Sequence, residues 1–347
     1  VTAPGTPPLR DPDGGPEVDP DDVARLLAEP SRRFVVTSHK NPDGDAIGSM
    51  VGLARALRGA GRDVVMWHPD PLPTEFRFLL GSGDEIQVEL PPDARERTLL
   101  AVDCATADRI ADGSPRSLAA TVVNIDHHHD NTRFGHFNLV DGDASSSAEM
   151  VVRVLDAAGL PLTPEAAEPL YVGLVTDTGR FGYSNTTHEA HALAARLVDA
   201  GIDLPAITRR LYEEQPLPRV LLLGRALAGA RPLLDGRLMV AVLGPEDFRV
   251  CGAEKGDTEG IVEILRSVEG AEVAALVRST GDDGALRVSL RAASGRVDVS
   301  AIARAEDGGG HRAAAGFTSY RPPDDLLRWL EDAVGAQLRA SGGAGAE

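Results

Sequence analysis

Three short apolar runs in this sequence each end on acidic or imidazole side chains, and that repetition limits the folds open to it. Residues 34–37 lead into His39, Asp43 and Asp45. Residues 99–102 lead into Asp103, and residues 121–125 lead into Asp126, His127 and His128. Apolar runs this short suit strands buried on both faces. A fourth such run covers residues 64–67. Helical spacing of apolar residues follows over 46–57, 148–158, 164–175 and 188–200. Strands alternating with helices define an α/β class with a parallel sheet. Ligands of open parallel sheets lie beyond the carboxyl ends of the strands, so the three polar clusters are expected to converge on one crevice. Asp177, after the helix that ends at residue 175, joins them as a fourth contributor.

The residue types fit divalent-metal chemistry. Two cations a few ångströms apart need a shared carboxylate flanked by further Asp or His ligands, and together they activate water against a phosphoryl centre. A mainly oxygen donor set with one or two imidazoles favours Mn²⁺, with Mg²⁺ as the alternative. The candidate ligands are His39, Asp43, Asp45, Asp103, His127 and Asp177. Taken singly, most of these have ordinary uses; Asp45, for example, reads equally as a cap for the helix starting at residue 46. The joint pattern at element ends in one sheet favours metal. His68 and His136 read as structural histidines, Cys104 as a small buried residue, and residues 145–147 first as a helix N-cap. Arg109 and Arg180 read as surface salt-bridge partners before phosphate ligands.

A second unit is expected after residue 215, with strands at 238–242, 273–277 and 286–290, a helix near 260–268 and a last helix over 324–338. The division reads as a disordered tail at 1–19, a metal-binding domain at 20–215, a linker helix at 216–232 and a smaller α/β domain at 233–340. Lys and Arg number 35 against 53 Asp and Glu, a net charge of −18. That balance disfavours long nucleic acid, which is held by phosphate neutralisation. Two cysteines without a pairing pattern, no apolar run of membrane-spanning length and no leader-like start give the expectation of a cytoplasmic protein with no membrane partner.

At Asp126–His127–His128 the sequence resembles the DHH phosphoesterase superfamily. Its four motifs occur in order at His39–Asp45, Asp103, Asp126–His128 and Asp177. Ser289–Leu290–Arg291 and Gly308–Gly309–Gly310–His311 resemble the substrate motifs of the associated DHHA1 domain. The resemblance spans nearly the whole chain and is strongest to enzymes that act on di- to tetranucleotides and on 3′-phosphoadenosine 5′-phosphate (pAp). It implies an N-terminal parallel-sheet DHH domain and a smaller C-terminal α/β DHHA1 domain that closes over the substrate. It implies two Mn²⁺, one held by His39, Asp43 and Asp103 and one by Asp45, Asp103, His127 and Asp177. His128 would act at the scissile phosphate with Asp126 orienting the histidines, and Arg291, Gly309, Gly310 and His311 would bind substrate. Cyclic dinucleotides or their linear products stand as the alternative substrates and a nucleotide-sensing module as the non-enzymatic reading. A homodimer is left open. Asp307, where relatives carry glycine, departs from the pattern and places an acid beside the loop.

Overall fold

The computed structural model describes residues 11, 14–110, 114–279, 281 and 284–342. The chain divides into two compact units, Val1–Glu214 and Gln215–Glu347.

The first unit is built on β1 (Phe34–Thr37), β2 (Val64–Trp67), β3 (Ile86–Gln87), β4 (Thr98–Val102), β5 (Thr121–Asp126) and β6 (Phe137–Val140). All pair in parallel, in the order β3-β2-β1-β4-β5-β6. The chain winds outward from β1 and returns to β4 at its other side, so the strand order reverses between those two strands. Crevices at such a reversal are where doubly wound sheets take ligands. β1 and β4 are buried along their whole length, as their unbroken apolar sequence requires. The helices are α1 (Pro20–Ala28), α2 (Gly44–Gly59), α3 (Ser147–Ala157), α4 (Pro164–Asp177), α5 (His188–Asp199) and α6 (Leu204–Thr208).

α2 and α4 meet backbone to backbone because glycine lines their contact. A Cβ on Gly48 would lie 2.3 Å from the Pro169 carbonyl oxygen, and one on Gly173 would lie 2.7 Å from Asp45 Oδ1. No side chain fits there. Close packing of these helices carries Asp45, in the first turn of α2, toward Asp177 at the end of α4.

The amino-terminal expectation needs correction. Residues 1–10, 12 and 13 lie outside the described residues. The following stretch is tied to the β6 edge: Gly15 N donates to Gly135 O at 2.9 Å and Val18 N to Asn138 O at 3.0 Å. Asp19 then caps α1. Backbone hydrogen bonds to an edge strand order this stretch despite its poor apolar content.

The second unit holds α7 (Leu217–Ala228), β7 (Arg231–Leu233), β8 (Leu238–Leu243), α8 (Pro245–Cys251), α9 (Ile261–Arg266), β9 (Val273–Arg278), β10 (Leu286–Ala292), α10 (Val299–Arg304), β11 (Gly309–His311), β12 (Ala314–Ser319) and α11 (Pro323–Gly342). Its sheet runs β11-β12-β10-β9-β8-β7. β8 and β9 are parallel and the other pairs antiparallel. Leu222 and Ala226 of α7 are buried with Met239, Ala241, Ala274, Leu276 and Ile261 in this unit's core. The segment expected as a linker is thus part of the second unit's packing. A second apolar layer, with Leu326, Leu330 and Val334 of α11, covers the opposite sheet face.

Candidate metal centre

The sequence-predicted residues of the first unit gather where β1, β4 and β5 end. His39 lies two residues past β1, Asp103 directly follows β4, and Asp126 closes β5 before His127 and His128. His39, Asp43 and Asp103 bring one ligand atom each to within 4.8 Å of the others, and so do Asp45, His127 and Asp177. Asp103 stands between the groups. Its Oδ2 is 3.5 Å from His39 Nε2 and its Oδ1 is 3.6 Å from His127 Nε2. His127 Nε2 is also 3.6 Å from Asp177 Oδ2.

The histidines differ in what their other nitrogen does. His39 Nδ1 lies 2.8 Å from the Lys40 carbonyl and His127 Nδ1 lies 3.3 Å from the Ala144 carbonyl. A proton on His127 Nδ1 satisfies the Ala144 carbonyl and turns the Nε2 lone pair toward the carboxylates, the arrangement metal-binding histidines adopt. His39 Nδ1 lies between the Lys40 carbonyl and the Arg109 guanidinium. His128 is oriented otherwise: its Nδ1 meets Asp126 Oδ1 at 2.8 Å. Asp126 is fully buried, and its other oxygen accepts from Asn131 Nδ2 at 2.5 Å.

The electrostatics follow from burying several carboxylates together. Burial, and then the charges of Asp103 and Asp177, push the Asp45 carboxyl well above the ordinary range. Burial, aided by Asp103 and Asp43 and opposed by the charge of His127, raises Asp177 to about 6. Burial pushes Asp103 up too, but contact with His39 and the charges of His128 and His127 outweigh it and hold it at about 2. Burial disfavours the charged form of His128; its hydrogen bond with Asp126 and the charges of Asp126 and Asp103 overcome this and raise it to about 9. Buried carboxylates that repel each other beside imidazole lone pairs are a donor set that fits divalent cations.

Several contributors were not anticipated. Asp45 does not cap α2: Asp43 does, accepting from the backbone of Asp45 and Ala46. Asp45 is instead buried against the start of α3, where it accepts from Ser147 N at 2.6 Å and Ala148 N at 3.0 Å. Ser146 is the α3 cap, while Ser147 Oγ donates to Asp103 Oδ1 at 3.0 Å. Asn185 Nδ2 reaches Asp177 Oδ2 at 3.2 Å. Arg109, expected at the surface, is half-buried with Nη2 2.9 Å from His39 Nδ1. Arg180 lies over the Tyr212 ring, 3.7 Å from its centroid. Neither arginine forms an ion pair among the described residues. Nothing in local spacing marks these partners: Ser147 and Arg109 are recruited across the fold, and Asn185 comes from a loop eight residues beyond Asp177. Asp103 also has a left-handed backbone, φ 56°, a strained state that element ends at functional sites often hold. Cys104 is fully buried and its thiol is pushed up by that burial. His68 is buried with Nε2 3.0 Å from the His39 carbonyl.

In the second unit the expected glycine loop is a strand in part. Gly309–His311 forms β11, the sheet edge paired to β12. The register places Arg291 and His311 opposite the same residue, Ala314, from either side. Directly opposed residues share a sheet face, so Arg291, Ala314 and His311 make one row. Arg291 is not a free fork: its Nε donates to Glu263 Oε1 at 2.8 Å. Gly309, Gly310 and His311 are exposed.

A doubly wound domain with this Asp and His cluster, followed by a mixed-sheet domain, defines a two-domain phosphoesterase class. The chain belongs to the DHH family: the DHH family N-terminal domain matches residues 33–174 and the DHHA1 domain residues 237–336. It is a hydrolase of phosphoric ester bonds. It is 39% identical over 299 residues to the bifunctional oligoribonuclease and PAP phosphatase NrnA of Thermus thermophilus, covering 85% of this chain and 87% of that protein. Its identity to the Bacillus subtilis protein of the same name is 29%, over 86% of this chain and 93% of the other. Among solved structures, an exopolyphosphatase-related protein from Bacteroides fragilis is 26% identical with a TM-score of 0.82, covering 93% of this chain and 97% of that one. No helix among the described residues is long and apolar enough to cross a membrane.

Proposed function

We propose that the chain is a Mn²⁺-dependent phosphoesterase that cleaves short oligoribonucleotides and pAp. The observation that carries this reading is the position of Asp103, with one carboxylate oxygen toward His39 and the other toward His127. A carboxylate so placed would serve two sites, with His39, Asp43 and Asp103 holding one ion and Asp45, Asp103, His127 and Asp177 the other. Divalent cations held by these residues would supply a water of lowered pKa and charge stabilisation at the phosphoryl oxygens.

The protein's own groups do the rest. Hydrogen bonds from Ser147 and Ala148 fix Asp45, and Ser147 also fixes Asp103. His128, kept protonated by Asp126, offers a charge and a proton to the leaving oxygen. Arg291, Gly309, Gly310 and His311 bind the nucleotide. The activities named for the relatives support these substrates, as does the chain's net charge of −18, which suits short anions rather than long polyanions.

The test is incubation of the purified protein with Mn²⁺ and pAp, di- to tetranucleotides, cyclic dinucleotides and long RNA, with products resolved by chromatography. Turnover of pAp and of di- to tetranucleotides is expected, with long RNA cleaved far less. Degradation of long RNA without turnover of pAp or dinucleotides would contradict the reading.

A further inference from the structure

The open face of the second unit continues beyond the row of Arg291, Ala314 and His311. In steps of two residues, Ser289 stands opposite Gly316, and Arg287 stands opposite Thr318 on one side and Arg278 on the other. Arg278 and Arg287 are therefore directly opposed on neighbouring strands, where like charges destabilise a sheet.

Neither arginine is neutralised by an ion pair among the described residues. Arg287 Nη1 donates to Thr318 Oγ1 at 2.7 Å, and Arg278 donates to the Thr258 hydroxyl. Other arginines of this unit do have acid partners: Arg225 with Asp247, Arg296 with Glu272 and Arg321 with Glu306. Burial, and then the charge of Arg287, lower the pKa of Arg278, while Glu259 works the other way. Both arginines line a cavity of about 890 Å³ together with Ser289, Gly316 and Thr318. Among the described residues, the acids lining that cavity are Glu306, which accepts from Arg321 and Ser319, and the exposed Asp307. Ser289 and Arg278 also line an adjoining cavity of about 450 Å³ that contains Arg291.

We propose that Arg278 and Arg287 form a second anion subsite, which takes a backbone phosphate further along the oligonucleotide than the one bound at Arg291. This rests on the function proposed above. Planar guanidinium forks suit phosphate oxygens, and a bound anion would relieve the repulsion between the two arginines. Arg287 lies four residues from Arg291 on one strand, a span of roughly 13–14 Å at the usual strand rise. A tetranucleotide reaches both rows, whereas pAp fills one. The second subsite thus makes the longest of the short substrates the best bound.

The test compares wild type with Arg287→Gln and with the R278Q/R287Q double variant, as full, metal-loaded chains. The ratio of kcat/KM for a 5′-phosphorylated tetranucleotide to that for pAp should fall about ten- to a hundredfold, the scale of a lost charge-assisted contact. KM should carry most of the change. An equal fall on both substrates, or none, overturns the subsite. Arg287 is exposed, so R287Q alone carries the test if the double variant melts early. Calorimetric titration with inorganic tripolyphosphate reads the subsite without turnover: wild type should bind one equivalent more than the double variant. If no nucleotide is cleaved at all, the proposed function fails and the titration decides the subsite alone. Equal stoichiometry and affinity in the two proteins would then overturn it.

Discussion

The two units solve opposite problems. In the first, Asp45, Asp103 and Asp126 are almost wholly buried, and each carboxylate is met by a histidine or by backbone and side-chain donors. In the second, β11 is an exposed edge, and the row through Arg291 and His311 lies open. Burial makes the first site rigid and its charges strong, at the cost of needing cations to balance them. Exposure makes each contact of the second site weaker and separately replaceable. The contrast goes with the proposed function, in which chemistry belongs to the first unit and recognition to the second, and on that reading substitutions in the two should behave differently.

The largest effect is expected at Asp103. Asp103→Asn should abolish turnover of every substrate, nucleotides and bis-p-nitrophenyl phosphate alike, because in the proposed centre one carboxylate would serve both metal sites. Measurable turnover at a tenth of the wild-type rate would break the bridge assignment. His128→Ala comes next: it should lower kcat by about 10²–10⁴, the range for a lost general acid, with metal content kept. Loss of metal in step with rate would make His128 a ligand instead.

Substitutions on the open face should be milder and selective. Arg291→Ala and His311→Ala are each expected to lower kcat/KM for pAp about ten- to a hundredfold. Hydrolysis of bis-p-nitrophenyl phosphate, which offers little for them to hold, should fall much less. Parallel kinetics on the two substrates measures this, and equal losses would erase the division between the units.

The smallest effect concerns stability without metal. Asp45 and Asp177 hold pKa values raised above those of the unfolded chain, Asp177 to about 6. The folded chain therefore binds more protons than the unfolded one, and stability falls as pH rises through that range. His128, raised to about 9, loses its contribution only at higher pH, and Asp103, lowered to about 2, loses its own only in strong acid. The melting temperature of chelator-treated protein should thus drop between about pH 4 and pH 6, and added Mn²⁺ should remove the drop. A rise over the same interval would contradict the charge assignment.

Much of this was legible in the residues. The unbroken apolar runs that became β1, β4 and β5 announce a parallel sheet, and the polar residues at their ends announce the crevice. β3 and β6 were not foreseen, since Ile86–Gln87 is only two residues long and Phe137–Val140 carries a buried Asn138. The cap reading of Asp45 failed because Asp43, two residues earlier, holds that place, and the backbone donors to Asp45 come from α3, far along the chain. Ser147 was out of reach for the same reason, while Asn131 and Asn185, five and eight residues from Asp126 and Asp177, sit in loops whose path no periodicity gives. The row that joins Arg291 to His311 depends on the register of β12, which three glycines in sequence do not disclose.

Metal stoichiometry tests the central claim most directly. Wild type and Asp103→Asn, each dialysed against Mn²⁺ and checked for an unchanged fold by circular dichroism, should be analysed by elemental mass spectrometry. The shared carboxylate predicts two ions per wild-type chain and loss of both, or a large fall in affinity for both, in the variant. One ion per chain in wild type, or loss of a single ion in the variant with the other held as tightly as before, would contradict it.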